Sequence, residues 1–196
     1  VGCSSLVSAV CMDKAITNSL LETAGIPQAH YLWFFTDNYL TGAEKIRGKI
    51  EARLGYPVFV KPANSGSSVG VSKVTRPEDL DAAIQRAARE DIKVVVEEAI
   101  VGQEVECAVL GLSRPEASIV GEIASGAEFY DYDDKYKNGA AKLFIPAHIP
   151  EETAEEVREN ALRAYRMLGC SGLARVDFFV RSADGAVLLN ELNTLP

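Results

Sequence analysis

The chain has 196 residues, is 47% hydrophobic, and carries a net charge of −8 from 20 basic and 28 acidic side chains. This is globular composition, long enough for one large domain or two small ones. The acidic balance without any basic block argues against nucleic acid as a partner. No apolar run approaches the ~20 residues of a membrane span, and no signal peptide is visible.

The elements alternate along the chain. A first helix is predicted from Met12 to Ala24, with Met12, Ile16 and Leu20 on one stripe and Gly25 and Pro27 ending it. An aromatic strand follows from Tyr31 to Phe35, with Trp33 expected in the core, then a helix from Ala43 to Leu54. Pro57 to Lys61 reads as a strand running into a loop, Pro62 to Gly70, and Val71 to Val74 resumes as strand. Thr75 and Glu78 have the spacing of a capping box, opening a helix whose Leu80, Ala83, Ile84, Ala87 and Ala88 follow helical periodicity. Lys93 to Glu97 is a strand, and a boundary between a smaller and a larger α+β unit is expected at 98–102. Glu104 to Leu112 alternates through Val105, Cys107 and Val109, and Ser118 to Ile123 is another strand. Phe129 to Ala141 reads as a long loop; strand Lys142 to Pro146, a helix from Glu151 to Leu168 and a terminal hairpin complete the order. The cysteines at 3, 11, 107 and 170 show no paired spacing, and His30 and His148 stand far apart. There is no zinc pattern, and a reducing cytoplasm fits best. The chain starts without Met and ends at Pro196, so a piece of something longer is expected.

Three segments carry chemistry. In the terminal hairpin, Ala183-Asp184-Gly185 suits a three-residue loop, which pairs Asp177 with Glu191 and Arg175 with Asn193 on one face. Two facing carboxylates repel unless a cation lies between them. Mg2+ is the natural candidate, with Arg175 left free for an anionic group; a solvated sheet face is the alternative. In the loop at 62–70, Gly66 and Gly70 bracket Ser67 and Ser68, with Lys61 at the preceding strand end. Small residues of this kind let backbone N–H groups converge on phosphate, or simply form a flexible tip. Glu97-Glu98-Ala99-Ile100 leaves a valine strand near the unit boundary, where a backbone edge reads a base and a carboxylate takes ribose hydroxyls. Acidic residues facing water are the other reading.

Taken together, these motifs resemble the ATP-grasp superfamily and, within it, the D-alanine–D-alanine ligases. The matches run in order through Val1-Gly2-Cys3-Ser4-Ser5, Met12-Asp13-Lys14, Val60-Lys61-Pro62-Ala63-Asn64, Gly66 to Gly70, Glu97-Glu98, Gly102 to Gly111, Phe129 to Tyr132 with Lys135-Tyr136, Leu168 to Gly172, Ala174 to Asp177, and Asn190 to Thr194. The resemblance implies an α+β fold of two subdomains with the nucleotide held in the cleft between them. Residues 1–98 would form the small lid subdomain with a lead-in segment, and 99–196 the large C-terminal subdomain, truncated at its end.

It further implies that Lys14 and Lys61 grip ATP phosphates, that Glu97, Glu98, Ala99, Ile100, Glu104 and Asn190 contact the nucleotide, and that Ser67 and Ser68 cover it. Ser67 would also order the first D-alanine's surroundings. Lys135 and Tyr136 would lie in a closing loop, and Asp177, Glu191 and Asn193 would hold two Mg2+ ions, with Mn2+ as a substitute. Arg175 would steady an acyl phosphate and its tetrahedral successor. The implied reaction joins two D-alanines for peptidoglycan synthesis in the cytoplasm, by a full-length homodimer. A D-serine-adding ligase is the nearest alternative, and a catalytically incomplete ATP-binding fragment is another. Two departures stand out: the family's N-terminal domain and the segment after Pro196 are absent, and Ala99 stands where some members carry a large aromatic residue.

Overall fold

The computed structural model describes residues 2–124 and 142–196. The long loop, with Lys135 and Tyr136, lies outside them. The chain divides into two compact units, Met12–Ala15 with Ala29–Ala99, and Val1–Cys11 with Ile16–Gln28 and Ile100–Pro196.

The smaller unit is an antiparallel sheet of β1 (Tyr31–Phe35), β2 (Val58–Pro62), β3 (Ser72–Val74) and β4 (Lys93–Glu98), in the order β1-β4-β2-β3. Alternation along β2 turns Val58 and Val60 inward. There they meet Val94 and Val96 and the apolar residues Ile50, Leu80 and Ile84 from two helices, α3 (Thr36–Arg53) and α4 (Leu80–Ala87). The same alternation turns Phe59 and Lys61 to the opposite face, with Glu97 paired across from Phe59.

Several expectations are corrected here. The expected first helix is α2 (Lys14–Thr23), and a further helix, α1 (Ser5–Met12), precedes it, the two separated at Asp13. Asp13 is buried, bridges to Asn64 and pairs with Lys93, and these contacts pull the chain out of helical register. Met12, Ile16 and Leu20 are exposed, while Ala15, Thr17, Asn18 and Leu21 are buried. The buried stripe therefore carries two polar residues, which hid it from a hydrophobic count. Trp33 is exposed and stacks edge-on against Phe35. The second helix starts at Ala43 as expected, directly after non-helical Gly42 (φ −148°), and a preceding helical stretch from Thr36 joins it across that kink to make up α3. The capping box of Thr75 does not form. Pro77 opens a 3-10 turn, Pro77–Asp79, ahead of α4, and Arg76 pairs with Glu78 and Asp79 instead.

The larger unit is an antiparallel sheet of β5 (Gly102–Gly111), β7 (Gly121–Ala124), β8 (Lys142–Phe144), β9 (Gly172–Arg181) and β10 (Val187–Asn193), ordered β10-β9-β5-β7-β8, with β6 (Glu116–Ala117) paired to β5. The helix α5 (Glu151–Met167) packs Val157, Ala161, Ala164 and Tyr165 against Val105, Cys107, Val109, Val176 and Phe178. Acidic Glu151 and Glu152 occupy its first turn, where they favour the helix dipole. Most of the lead-in belongs to this unit: Cys3 donates its N–H to the Thr194 carbonyl (3.3 Å), and Pro27 accepts from the Leu189 N–H (2.8 Å). Cys107 and Cys170 are buried, Cys3 and Cys11 half-buried, and all four are free thiols. Among the described residues no helix is long and apolar enough to cross a membrane.

Gly102 starts β5 against the backbone of β9, and a Cβ there would lie 2.1 Å from the Val180 carbonyl oxygen. Gly102→Ala therefore forces the two central strands apart and should cost about 1–3 kcal/mol. Urea denaturation should show a lowered midpoint; an unchanged one would mean that this end of the β5–β9 ladder is loose.

Candidate active site

On the larger unit, β9 and β10 bring Asp177 opposite Glu191 and Arg175 opposite Asn193, as expected. The route to that register is different. The connecting loop has four residues, 182–185, between Arg181 and Ala186, whose N–H and carbonyl are bonded at 2.9 Å, and left-handed Gly185 (φ 75°) closes it. Such a loop pairs Val187 with Val180 and Leu189 with Phe178, one residue off the expected ladder. A β-bulge between Leu189 and Glu191 then absorbs Asn190 and restores the parity. Core-facing Leu189 and Leu192 thus bracket a pair, Asn190 and Glu191, that is not buried.

On the same face β5 contributes Glu106, directly opposite Asp177, and Glu104 two residues away. Glu191, Asp177 and Glu106 therefore form one row of carboxylates across three strands. Arg175 serves the row: its Nε and Nη2 donate to the two Asp177 oxygens at 2.7 and 2.8 Å, and Nε lies 3.1 Å from Glu106 Oε2. The expectation of a free Arg175 is corrected, since neighbouring like charges draw the one guanidinium onto themselves. The Asn193 amide donates to Asp177 (2.9 Å) and Glu191 (3.5 Å), bridging the two carboxylates. Burial first, then Glu191 and Glu106, push Asp177 up to about 6 despite Arg175. Arg175 is driven upward in turn, chiefly by its hydrogen bond to Asp177.

This donor set fits a hard divalent ion. It consists of carboxylate oxygens with an amide whose N–H group already stands as the positive partner between them, and turning that amide over presents its oxygen. Among the described residues no group of three or more His, Cys, Asp or Glu could hold a metal. A metal held here would need a further donor beside Asp177 and Glu191, and the Asn193 amide is within reach of both carboxylates.

The smaller unit gathers the lysines. Lys61 Nζ pairs with Glu97 Oε2 at 2.5 Å, both side chains being largely buried. Lys14 Nζ donates to the Ser65 carbonyl at 2.6 Å, and its N–H to the Ala63 carbonyl at 3.1 Å. Asn64 is held from two sides, by Asp91 on its N–H (2.7 Å) and Asp13 on its amide (3.2 Å). Beyond it the loop closes as a tight turn, Val69 N–H donating to the Gly66 carbonyl (3.1 Å), with both central residues left-handed: Ser67 at φ 50° and Ser68 at φ 60°. Non-glycine residues there cost roughly 1–2 kcal/mol each, strain of the sort stored at binding loops. Glu98 accepts the His30 N–H (2.8 Å), and Ala99 donates its N–H to Pro57 (3.1 Å), so both are tied into the local backbone.

Each unit thus assembles its own share of the expected residues: Lys14, Lys61, Ser67, Ser68 and Glu97 in one, Glu104, Arg175, Asp177, Asn190, Glu191 and Asn193 in the other. Glu106 was missed. Its outward placement was visible in the Val105/Cys107/Val109 alternation, but its partner depends on the β5–β9 register. The Asp13–Lys93 pair and Asp91 were missed for the same reason, being joined only through space.

Solved structures share this two-unit α+β fold, which is that of the ATP-grasp ligases. The VanG D-Ala:D-Ser ligase from Enterococcus faecalis superposes with a TM-score of 0.88 at 42% identity, covering all of this chain and 56% of that one. The D-alanine–D-alanine ligase from Coxiella burnetii gives 0.83 at 33%, covering all of this chain and 51% of that one. The D-alanine–D-alanine ligases of Acetivibrio thermocellus and Pelodictyon phaeoclathratiforme are 54% and 51% identical over the whole chain, which covers 52% and 54% of their sequences. The chain spans about half the length of the curated relatives it matches. Residues 20–196 match the D-ala D-ala ligase C-terminus family, and the chain belongs to it.

The raised value of Asp177 has a definite pH signature. Its folded value of about 6 lies above the ordinary 3.8, so its contribution to stability is fully present below 3.8 and lost as pH rises through about 6. Without divalent ions, the melting temperature of the protein relative to Asp177→Asn should fall across that window. A flat difference would mean that Asp177 is solvated and the row does not act as one electrostatic unit.

Proposed function

We propose that the protein to which this chain belongs joins two D-alanines at the expense of ATP, releasing ADP and phosphate, for peptidoglycan precursor synthesis in the cytoplasm. The observation that carries this reading is the pairing of Asp177 with Glu191 and Arg175 with Asn193 on one sheet face, in a chain of this family. Lys14 and Lys61 hold the phosphates, and Ser67 and Ser68 close over them from the strained turn. Glu97 and Glu104 take the ribose, while Glu98, Ala99, Ile100 and Asn190 complete the nucleotide contacts. Lys135 and Tyr136 are assigned by resemblance alone. Asp177, Glu191 and Asn193 would hold Mg2+, two ions or Mn2+ in their place, which offsets charge on the transferring phosphoryl group.

The first D-alanine's carboxylate attacks the γ-phosphorus, giving an acyl phosphate. The neutral amine of the second then attacks the acyl carbon and phosphate leaves. Arg175 steadies the oxyanion that develops, and the serine turn excludes the water that would hydrolyse the intermediate. Lys61 and Arg175 rest on Glu97 and Asp177 without ligand, so neither cation is lost to solvent before substrate arrives. A D-serine acceptor is the second reading, favoured by the 42% identity to the Enterococcus faecalis enzyme. The full-length protein would act as a homodimer.

The test is a thermal-shift titration of the chain with ATP, with and without Mg2+. At a hundredfold excess over the dissociation constant the stabilisation should be about 2.7 kcal/mol and require Mg2+. The double variant Asp177→Asn/Glu191→Gln should lose it. A chain that MgATP does not stabilise would sink the reading. Stabilisation that then yields ADP faster with D-serine than with D-alanine as acceptor would move it to the second.

A further inference from the structure

The carboxylate row holds an asymmetry that the reaction as described leaves unused. Asp177 is its middle member, with Glu191 on one side and Glu106 on the other. Arg175 occupies both oxygens of Asp177, and its Nε is at the same time 3.1 Å from Glu106. A divalent ion held by Asp177, Glu191 and Asn193 would compete with, and repel, the guanidinium that now chelates Asp177. Two cations cannot keep one buried carboxylate without a second counter-charge. Glu106 is the carboxylate already in reach on the far side, and Ala108, directly opposite Arg175, leaves the guanidinium lateral room.

Resting on the metal reading above, we propose that Glu106 is a positioning residue. It receives the Arg175 guanidinium when Mg2+ takes Asp177, and so holds that cation on the sheet face where the acyl phosphate forms. Arg175 is then never released into water: it exchanges one carboxylate for its neighbour. Glu106 would thereby relieve the repulsion between Arg175 and a divalent ion held at Asp177. Glu106 acts on the metal only through Arg175.

The test is a double-variant cycle read by thermal shift with MgATP as the probe, and ATP with EDTA as the metal-free control. The four proteins are wild type, Glu106→Gln, Arg175→Gln and the double variant. Glu106→Gln keeps size and hydrogen-bonding but removes the charge, and should weaken half-saturation by MgATP about tenfold, as loss of a carboxylate behind a metal site does. Metal-free ATP should be unaffected. In the Arg175→Gln background the same change should matter about threefold or less, because no guanidinium needs a new partner. An equal loss in both backgrounds would show Glu106 acting on the ion directly and overturn the proposal, as would no loss in either. A wild type that MgATP fails to stabilise would overturn the metal reading and this inference together.

Discussion

The β-bulge at Asn190 is the constraint on which the larger unit's chemistry depends. A four-residue turn sets Val187 against Val180. Carried down the ladder without interruption, that register would place Glu191 opposite core-facing Val176 and turn its carboxylate into the layer filled by α5. An ionised carboxylate cannot be left there without a partner. Absorbing Asn190 shifts every later residue by one, so Leu192 enters the core while Glu191 and Asn193 emerge beside Asp177 and Arg175. Core packing and site assembly are therefore one event.

Charge in both units is stored in pairs. Lys61 rests on Glu97, Asp13 on Lys93, and Arg175 on Asp177 and Glu106. Largely buried ions would be costly to hold in place alone, and pairing offsets part of their desolvation penalty. It also makes these groups exchangeable, since a ligand of the right charge competes for a partner already positioned. The surplus of carboxylate over cation in the row across β10, β9 and β5 leaves that face electrostatically unfinished, and burial turns the surplus into the raised proton affinity of Asp177.

The smaller unit spends conformational strain where the larger spends charge. Ser67 and Ser68 occupy a left-handed turn that glycine would adopt freely. The anchors on either side, Lys14 and Asn64 before it and Gly70 packed near Pro62 and Glu90 after it, hold the turn against relaxation. Hydroxyls and N–H groups at its tip are thereby fixed in direction, as the proposed phosphate contact would require.

By itself the sequence determined the α+β order, the strands that carry Lys61, Arg175 and Asp177, the hairpin partners, and the resemblance to the ligases. These features live in alternation, in glycine placement and in short ordered motifs, all local. The Asp177–Glu191 pairing was legible although two unseen offsets, the longer turn and the bulge, cancel to produce it. What only the tertiary structure decided are the contacts made through space: the break at Asp13, forced by Asn64 and Lys93; the exposure of Met12, Ile16 and Leu20 where a hydrophobic stripe suggested burial; and the capture of Arg175 by Asp177 and Glu106. Strand β5 announces that Glu106 faces outward, but periodicity does not say which strand lies beside it. Register between distant strands is set by how the whole sheet buries its other face, and no window of sequence contains that information.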